Sequence, residues 1–176
     1  MLRDARQPWP VPRLHLGDSC PDNCLVFDAQ VWLLDFEWAE IRHALIDGAF
    51  PWIHVPSCWC VNRLPDDLPD LLVGIYWSRL AEGIPEAAED RHFHDGLVAA
   101  SVVGFASNTC SDVFESDRRW GISTLRQRNL LRVRIFERTA GAHGYPAIAD
   151  ACGTLGEQID TRWSDVEPMP IYPAFR

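Results

Sequence analysis

The chain has 176 residues, a formal net charge of −9, and sixteen basic side chains that are all arginine. This length is enough for one domain with a sizeable core. The acidic balance argues against nucleic acid as the main partner, because phosphate contacts need a basic surface. Without lysine, the chain alone cannot complete any mechanism that needs a lysine amine.

The N-terminal residues and the cysteines bear on the compartment. The first residues contain charges and prolines but no apolar targeting core. The longest apolar stretch, 97–106, is too short to span a bilayer. We therefore expect a cytoplasmic protein with reduced thiols and no membrane partner. Zinc ligands in a pair of cysteines are usually separated by two residues. Neither the pair Cys58 and Cys60 nor the pair Cys20 and Cys24 has this separation. We therefore expect no zinc site and interpret the cysteines as structural or incidental.

The order of apolar and turn-forming residues predicts a single α+β domain, mostly helical. An irregular lead-in (1–10) precedes a loop and hairpin region (11–37) and a helical region (38–176). The expected elements, in chain order, are a strand at 11–16, a turn-rich loop at 17–23, hairpin strands at 24–27 and 31–34 joined by a turn at 28–30, and helices at 39–50, 66–82, 85–103, 122–138 and 145–163.

Three oxygen-bearing side chains flank the predicted hairpin. Asp18 lies near the start of the loop, Asn23 ends it, and Asp35 follows the second strand. Because the two ends of a hairpin meet, this order should bring the three side chains together. Phosphoryl transfer from ATP needs a group that orients the acceptor hydroxyl and oxygen ligands for Mg²⁺. The structural alternative is an Asx-rich turn followed by a strand-ending carboxylate.

The same residues resemble a family signature. Aminoglycoside phosphotransferases and choline/ethanolamine kinases, distant relatives of protein kinases, carry His-Gly-Asp-x-x-x-x-Asn, a short hairpin and then Ile-Asp-Phe/Trp-Glu. This chain reads Leu16-Gly17-Asp18-x-x-x-x-Asn23 and then Leu34-Asp35-Phe36-Glu37. The resemblance implies a kinase-like C-terminal lobe, with a small β-hairpin that carries the catalytic loop packed on a helical bundle. It implies that Asp18 is the catalytic residue and that Asn23 and Asp35 bind Mg²⁺ and, with it, ATP.

Two departures from the family pattern bear on activity. Leu16 occupies the place of the family histidine, which normally braces the loop, and His15 stands one residue too early. The family also has an N-terminal β lobe that covers the nucleotide and supplies a lysine. We interpret the chain as the C-terminal lobe with that lobe absent, and we expect it to be inactive alone.

Three explanations of the missing lobe stay open. The chain is truncated, a partner chain supplies the lobe, or the protein is a non-catalytic, pseudokinase-type binding module. In each case we expect an exposed apolar face where another lobe or a second copy would pack.

The resemblance implies a small-molecule acceptor with a hydroxyl group. Acidic residues after position 40 would suit an amine-bearing acceptor, although solvated helix faces explain most of them. Four tryptophans either cage a cation or pack in the core, and core packing is the safer interpretation. They are Trp38, Trp52, Trp59 and Trp77.

Overall fold

The computed structural model describes residues 12–53, 58–85, 90–108 and 111–176. Most of them are helical, and the strands are short, so the predicted α+β class with a helical majority is confirmed. The strands are β1 (Pro12–His15), β2 (Cys24–Phe27), β3 (Gln30–Leu33), β4 (Glu40–His43), β5 (Arg119–Trp120) and β6 (Ser123–Thr124). The helices are α1 (Leu45–Gly48), α2 (Phe50–Ile53), α3 (Leu68–Gly83), α4 (Asp90–Asn108), α5 (Leu125–Ala142) and α6 (Pro146–Arg162).

The predicted hairpin is present and is nested inside a second strand pair. β2 and β3 are antiparallel, and the two residues between them, Asp28 and Ala29, both have positive φ. A tight hairpin turn that follows the natural strand twist requires this conformation. β1 and β4 pair around the hairpin, also antiparallel. All hairpin residues except the half-buried Cys24 are exposed, so the hairpin stands out from the helices.

The prediction of one helix over 39–50 is wrong. Residues 40–43 form β4, and the helical part begins only at Leu45, in the two short helices α1 and α2. The backbone groups of β4 pair with β1, a partner more than twenty residues away. Local periodicity cannot reveal such a partner, and tertiary pairing overrides a weak helical preference.

The long helices agree better with the expectations. α3 and α6 match within two residues, and α5 begins three residues late because β5 and β6 occupy 119–124. A capping box starts α5: the Thr124 side chain accepts from the Gln127 N–H, and the Gln127 side chain accepts from the Thr124 N–H. The predicted lead-in, 1–10, and residues 86–89 of the helix expected at 85–103 lie outside the described residues, and α4 continues five residues beyond the expected end.

The main core lies between the helices. Its most deeply buried large side chains come from α1, α2 and α4, and α5 and α6 close it. None of the described helices combines the length and the apolar character needed to cross a membrane. The core residues are Leu45, Ala49, Trp52, Ile53, Val73, Phe93, Leu97, Val98, Val113, Val133, Phe136, Cys152, Ile159 and Trp163.

Candidate functional site

Residues 16–23 form the loop that precedes the hairpin, and we call them the site loop. This loop lies beside the segment that follows the hairpin. On one side, His15 of β1 is opposite Glu40 of β4. On the other, the Asn23 carbonyl accepts a hydrogen bond of 2.8 Å from the Leu34 N–H. The two stretches are therefore held between two strand pairs, of which the sequence predicted only the inner one, the hairpin.

Gly17 brings the two stretches into contact. Its φ is +88°, and a Cβ atom built there would overlap the carbonyl group of Trp38. Only glycine combines this backbone conformation with so close an approach. The site loop therefore packs directly against the segment that carries Asp35.

Asp18 and Asn23 are joined inside the site loop. The Asp18 Oδ1 atom accepts a hydrogen bond of 3.1 Å from the Cys20 N–H, which closes an Asx turn. The Asn23 Nδ2 group donates to the Asp18 carbonyl oxygen, also at 3.1 Å. Two of the three predicted site residues thus belong to one hydrogen-bonded turn.

Asp35 follows the residue that pairs with Asn23. Its φ is +58°, in the left-handed region that side chains rarely adopt. Such a conformation persists only where the surroundings impose it, and it is often found at functional sites. Asp35 and Asp18 are both exposed, and Asn23 is half-buried.

A buried histidine ties the start of the site loop to the helices. His15 is buried, and its Nδ1 atom contacts the carboxylate of Asp47 in α1. Burial raises the pKa of Asp47, and the adjacent His15 opposes that shift. Leu16, in the position of the family histidine, is also buried. The loop is therefore anchored one residue earlier than in the family pattern.

Exposed apolar side chains surround this site. Among the described residues, eleven of the nineteen large exposed hydrophobic side chains lie between positions 14 and 41. An exposed apolar surface of this kind usually marks an interaction surface. The eleven are Leu14, Leu25, Val26, Phe27, Val31, Trp32, Leu33, Leu34, Phe36, Trp38 and Ile41.

Sequence reasoning missed a group of ligand-type side chains at the site loop. Cys20 and Asp22 of the loop meet Cys60, which follows α2, and Cys58 lies in the same buried cluster as Cys20; we call these four residues the thiol cluster. The Cys20 and Cys60 Sγ atoms are 3.4 Å apart. The spacing rule for zinc compared cysteines that are close in sequence, whereas this cluster pairs residues about forty positions apart. The sequence feature that indicated this cluster was the concentration of cysteines around positions 20 and 60.

A cavity elsewhere in the described structure is not part of this site. It has a volume of about 350 Å³ and lies between the start of α3, helix α5 and the C-terminal segment. No residue between 12 and 43 is among its lining residues. The charged residues that line it carry both signs. They are Arg63, Asp66, Arg134, Arg138, Asp160 and Glu167.

The four tryptophans form no cage. Trp52 is buried and donates its Nε1–H to Asp70 at 2.9 Å, and Trp77 packs against Phe93 in the core. Trp38 and Trp59 are exposed. The interpretation as core packing is therefore confirmed for two of the four.

Comparisons with known proteins identify no relative of this chain: no protein-family model matches it, and neither does any curated protein.

Proposed function

We propose that the chain is the kinase-like C-terminal lobe of an ATP-dependent phosphotransferase whose acceptor is a hydroxyl group on a small, amine-bearing molecule. The observation that carries the proposal is the joining of Asp18 and Asn23 in one turn, with Asp35 next to the residue paired with Asn23. Asp18 is the catalytic residue, and Asn23 and Asp35 are the Mg²⁺ ligands.

The hydrogen bond between Asn23 and Asp18 selects the orientation of the Asn23 amide. The partner is a carbonyl oxygen, so the amide must present its NH₂ group. The opposite atom, Oδ1, then remains as the end of the side chain that can bind a cation. Mg²⁺ prefers such an oxygen together with one or two carboxylates.

The Asp18 carboxylate has one oxygen engaged and one to offer. Oδ1 accepts from the Cys20 N–H, which limits rotation of the side chain. Oδ2 can then accept a hydrogen bond from an acceptor hydroxyl and hold it in line for attack. Fixing this geometry is the main contribution of a protein to phosphoryl transfer, because the reaction needs little covalent chemistry from it.

Asp35 supplies the carboxylate of the Mg²⁺ site. Its left-handed backbone sets the direction in which the side chain leaves the segment, and the contact of Gly17 with Trp38 holds that segment. The ion would neutralise charge on the phosphates of ATP. An oxygen-only pair of Asn and Asp fits this hard cation and not a soft one.

The exposed apolar side chains support a further part of the proposal. In a complete kinase-like enzyme, a second lobe covers the nucleotide and supplies a lysine, which this chain does not contain. The apolar residues between positions 14 and 41 would provide its contact surface. That lobe, on the same chain or on another, would bury them.

The binding of Mn²⁺, which takes the same oxygen ligands as Mg²⁺, tests the proposal. We expect the purified chain to bind Mn²⁺ in the presence of ATP, followed by electron paramagnetic resonance. Asp35→Asn should weaken binding about tenfold or more, while asparagine still tolerates the positive φ. The matched control is Asp28→Asn, at another exposed, positive-φ aspartate. Equal Mn²⁺ affinity in the two variants would contradict the proposal.

The alternative is a non-catalytic, pseudokinase-type binding module, which the buried Leu16 in place of the family histidine favours. The two functions differ in their need for the Asp18 carboxylate. Transfer of labelled phosphate from ATP to a panel of amino alcohols and aminoglycosides, assayed with the protein as the cell produces it, separates them. Transfer that Asp18→Asn abolishes supports the enzyme, and no transfer supports the module.

A further inference from the structure

The thiol cluster joins two segments that are distant in sequence. Cys20 and Asp22 belong to the site loop, and Cys58 and Cys60 belong to the turn that follows α2. The ligand atoms of Cys20, Asp22 and Cys60 all lie within 4.8 Å of one another. Cys58 lies with Cys20 in one small buried cluster. Three ligand atoms therefore lie within reach of one ion, and Cys58 supplies a further thiol close to them.

The separations suit a tetrahedral ion. With Zn–S bonds of about 2.3 Å, two sulfur ligands of a tetrahedral zinc lie about 3.7 Å apart. The Cys20 and Cys60 sulfur atoms, at 3.4 Å, need only a small displacement to reach that separation. Thiolates favour zinc strongly over the hard cations Mg²⁺ and Ca²⁺. Four protein ligands leave no open position, which is typical of a structural site.

The groups around the cluster hold its ligands in place. The Trp59 Nε1–H donates to Asp22 Oδ2 at 2.6 Å, and such a partner commonly orients a ligating carboxylate. Arg128 of α5 is 1% exposed, and its guanidinium donates to the backbone carbonyls of Cys58, Trp59 and Trp120. The turn that carries two of the thiols is thereby fastened to α5.

Arg128 also supplies positive charge. Its guanidinium lies against the turn that carries Cys58 and Cys60, because it donates to two backbone carbonyls of that turn. Three thiolates and one carboxylate around Zn²⁺ would leave an excess of negative charge. A buried guanidinium next to them reduces that excess and favours the thiolate forms that bind metal.

We propose that Cys20, Cys58, Cys60 and Asp22 bind one structural zinc ion. The ion links the site loop to the turn after α2 and, through Arg128, to α5. It holds the loop that carries Asp18 and Asn23 in one conformation. The zinc site rests on the cluster alone and does not require that the protein transfer phosphate.

Zinc content and cobalt substitution test the proposal. Protein purified with reductant from zinc-supplemented cells should contain about one zinc per chain. Replacement by Co²⁺ should produce the thiolate charge-transfer absorption and the intense visible bands of a tetrahedral site. This measurement needs no variant, so it stands even if a substitution impairs folding. Protein that neither retains zinc nor gives these bands would overturn the proposal.

Variants and chemical labelling identify the ligands. Cys60→Ala and Asp22→Asn should each weaken zinc binding about tenfold or more, while Cys152→Ala, in α6, should leave it unchanged. Zinc should also slow alkylation of Cys60 but not of Cys24, which serves as a reference in the same molecule. Unchanged zinc affinity in Cys60→Ala, or a Cys20–Cys60 disulfide in protein from a reducing cytosol, would contradict the site.

Discussion

The β region (residues 12–43) and the mostly helical remainder (residues 45–163) differ in how far their apolar side chains are buried. The helical remainder buries Phe93, Leu97 and Val98 almost completely. The β region instead exposes most of the large hydrophobic side chains found on the described surface. Apolar burial therefore stabilises the helices, and something else must determine the conformation of the β region.

Backbone geometry fills that role. The described non-glycine residues with positive φ are Asp28, Ala29 and Asp35, all in the β region. Two strand pairs and the contact of Gly17 with Trp38 hold these conformations. The comparison teaches that the candidate site belongs to the part of the molecule with little core of its own, which depends on backbone pairing and on neighbouring groups.

Truncation of a phenylalanine in each region should give the largest contrast. Phe93→Ala removes a ring that is 1% exposed and should lower the free energy of unfolding by about 3–5 kcal/mol. Phe27→Ala, at 71% exposure in the hairpin, should lower it by about 0.5 kcal/mol or less. Urea denaturation of both variants measures the difference. Equal losses would show that the hairpin is buried against another surface in solution.

Two glycine substitutions should have opposite signs. Gly17→Ala forces a side chain into a positive φ and into the Trp38 backbone, and should destabilise the protein by about 1–3 kcal/mol. Gly74→Ala, in α3 with open space around it, should stabilise the protein by about 1 kcal/mol. Thermal unfolding followed by circular dichroism compares them. A Gly17→Ala protein as stable as wild type would remove the argument that this contact determines the loop conformation.

The smallest effect concerns pH at the junction of the two regions. Burial lowers the pKa of His43 below its ordinary value near 6.5, and its Nδ1 atom accepts from the Leu45 N–H. The unfolded chain therefore binds a proton more readily, and stability should fall as the pH drops through about 6.5. His43→Asn keeps an acceptor but cannot titrate. Its free energy of unfolding should change less between about pH 7 and pH 5.5; parallel profiles would show that other groups cause the loss.

Local patterns predicted much of this molecule. Turn formers between two apolar runs located the hairpin, and helical periodicity located α3, α5 and α6. The same patterns predicted that Asp18, Asn23 and Asp35 meet at one end of the hairpin, and the structure joins Asp18 and Asn23 in a single turn. These features depend on residues a few positions apart, whose spacing is visible in sequence.

What was missed depends on distant partners. β4 forms because it pairs with β1, and the sequence of residues 40–43 does not indicate this pairing. The thiol cluster forms because the turn at Cys58 and Cys60 folds onto the site loop, with Arg128 as its anchor. Arg128 illustrates the same point. Its guanidinium donates to backbone carbonyls of residues 59 and 120, and neither partner can be recognised from the sequence around Arg128.

The nesting of the hairpin inside the β1–β4 pair sets an order for folding. Twenty-four residues separate His15 from its partner Glu40, whereas two residues join β2 to β3. Once the hairpin has formed, the contact of Asn23 with Leu34 shortens the remaining path to about fourteen residues. The entropic cost of closing the outer strand pair then falls by about 0.5 kcal/mol. The hairpin should therefore form first, within microseconds. The site loop should reach its final geometry only when β1 and β4 pair.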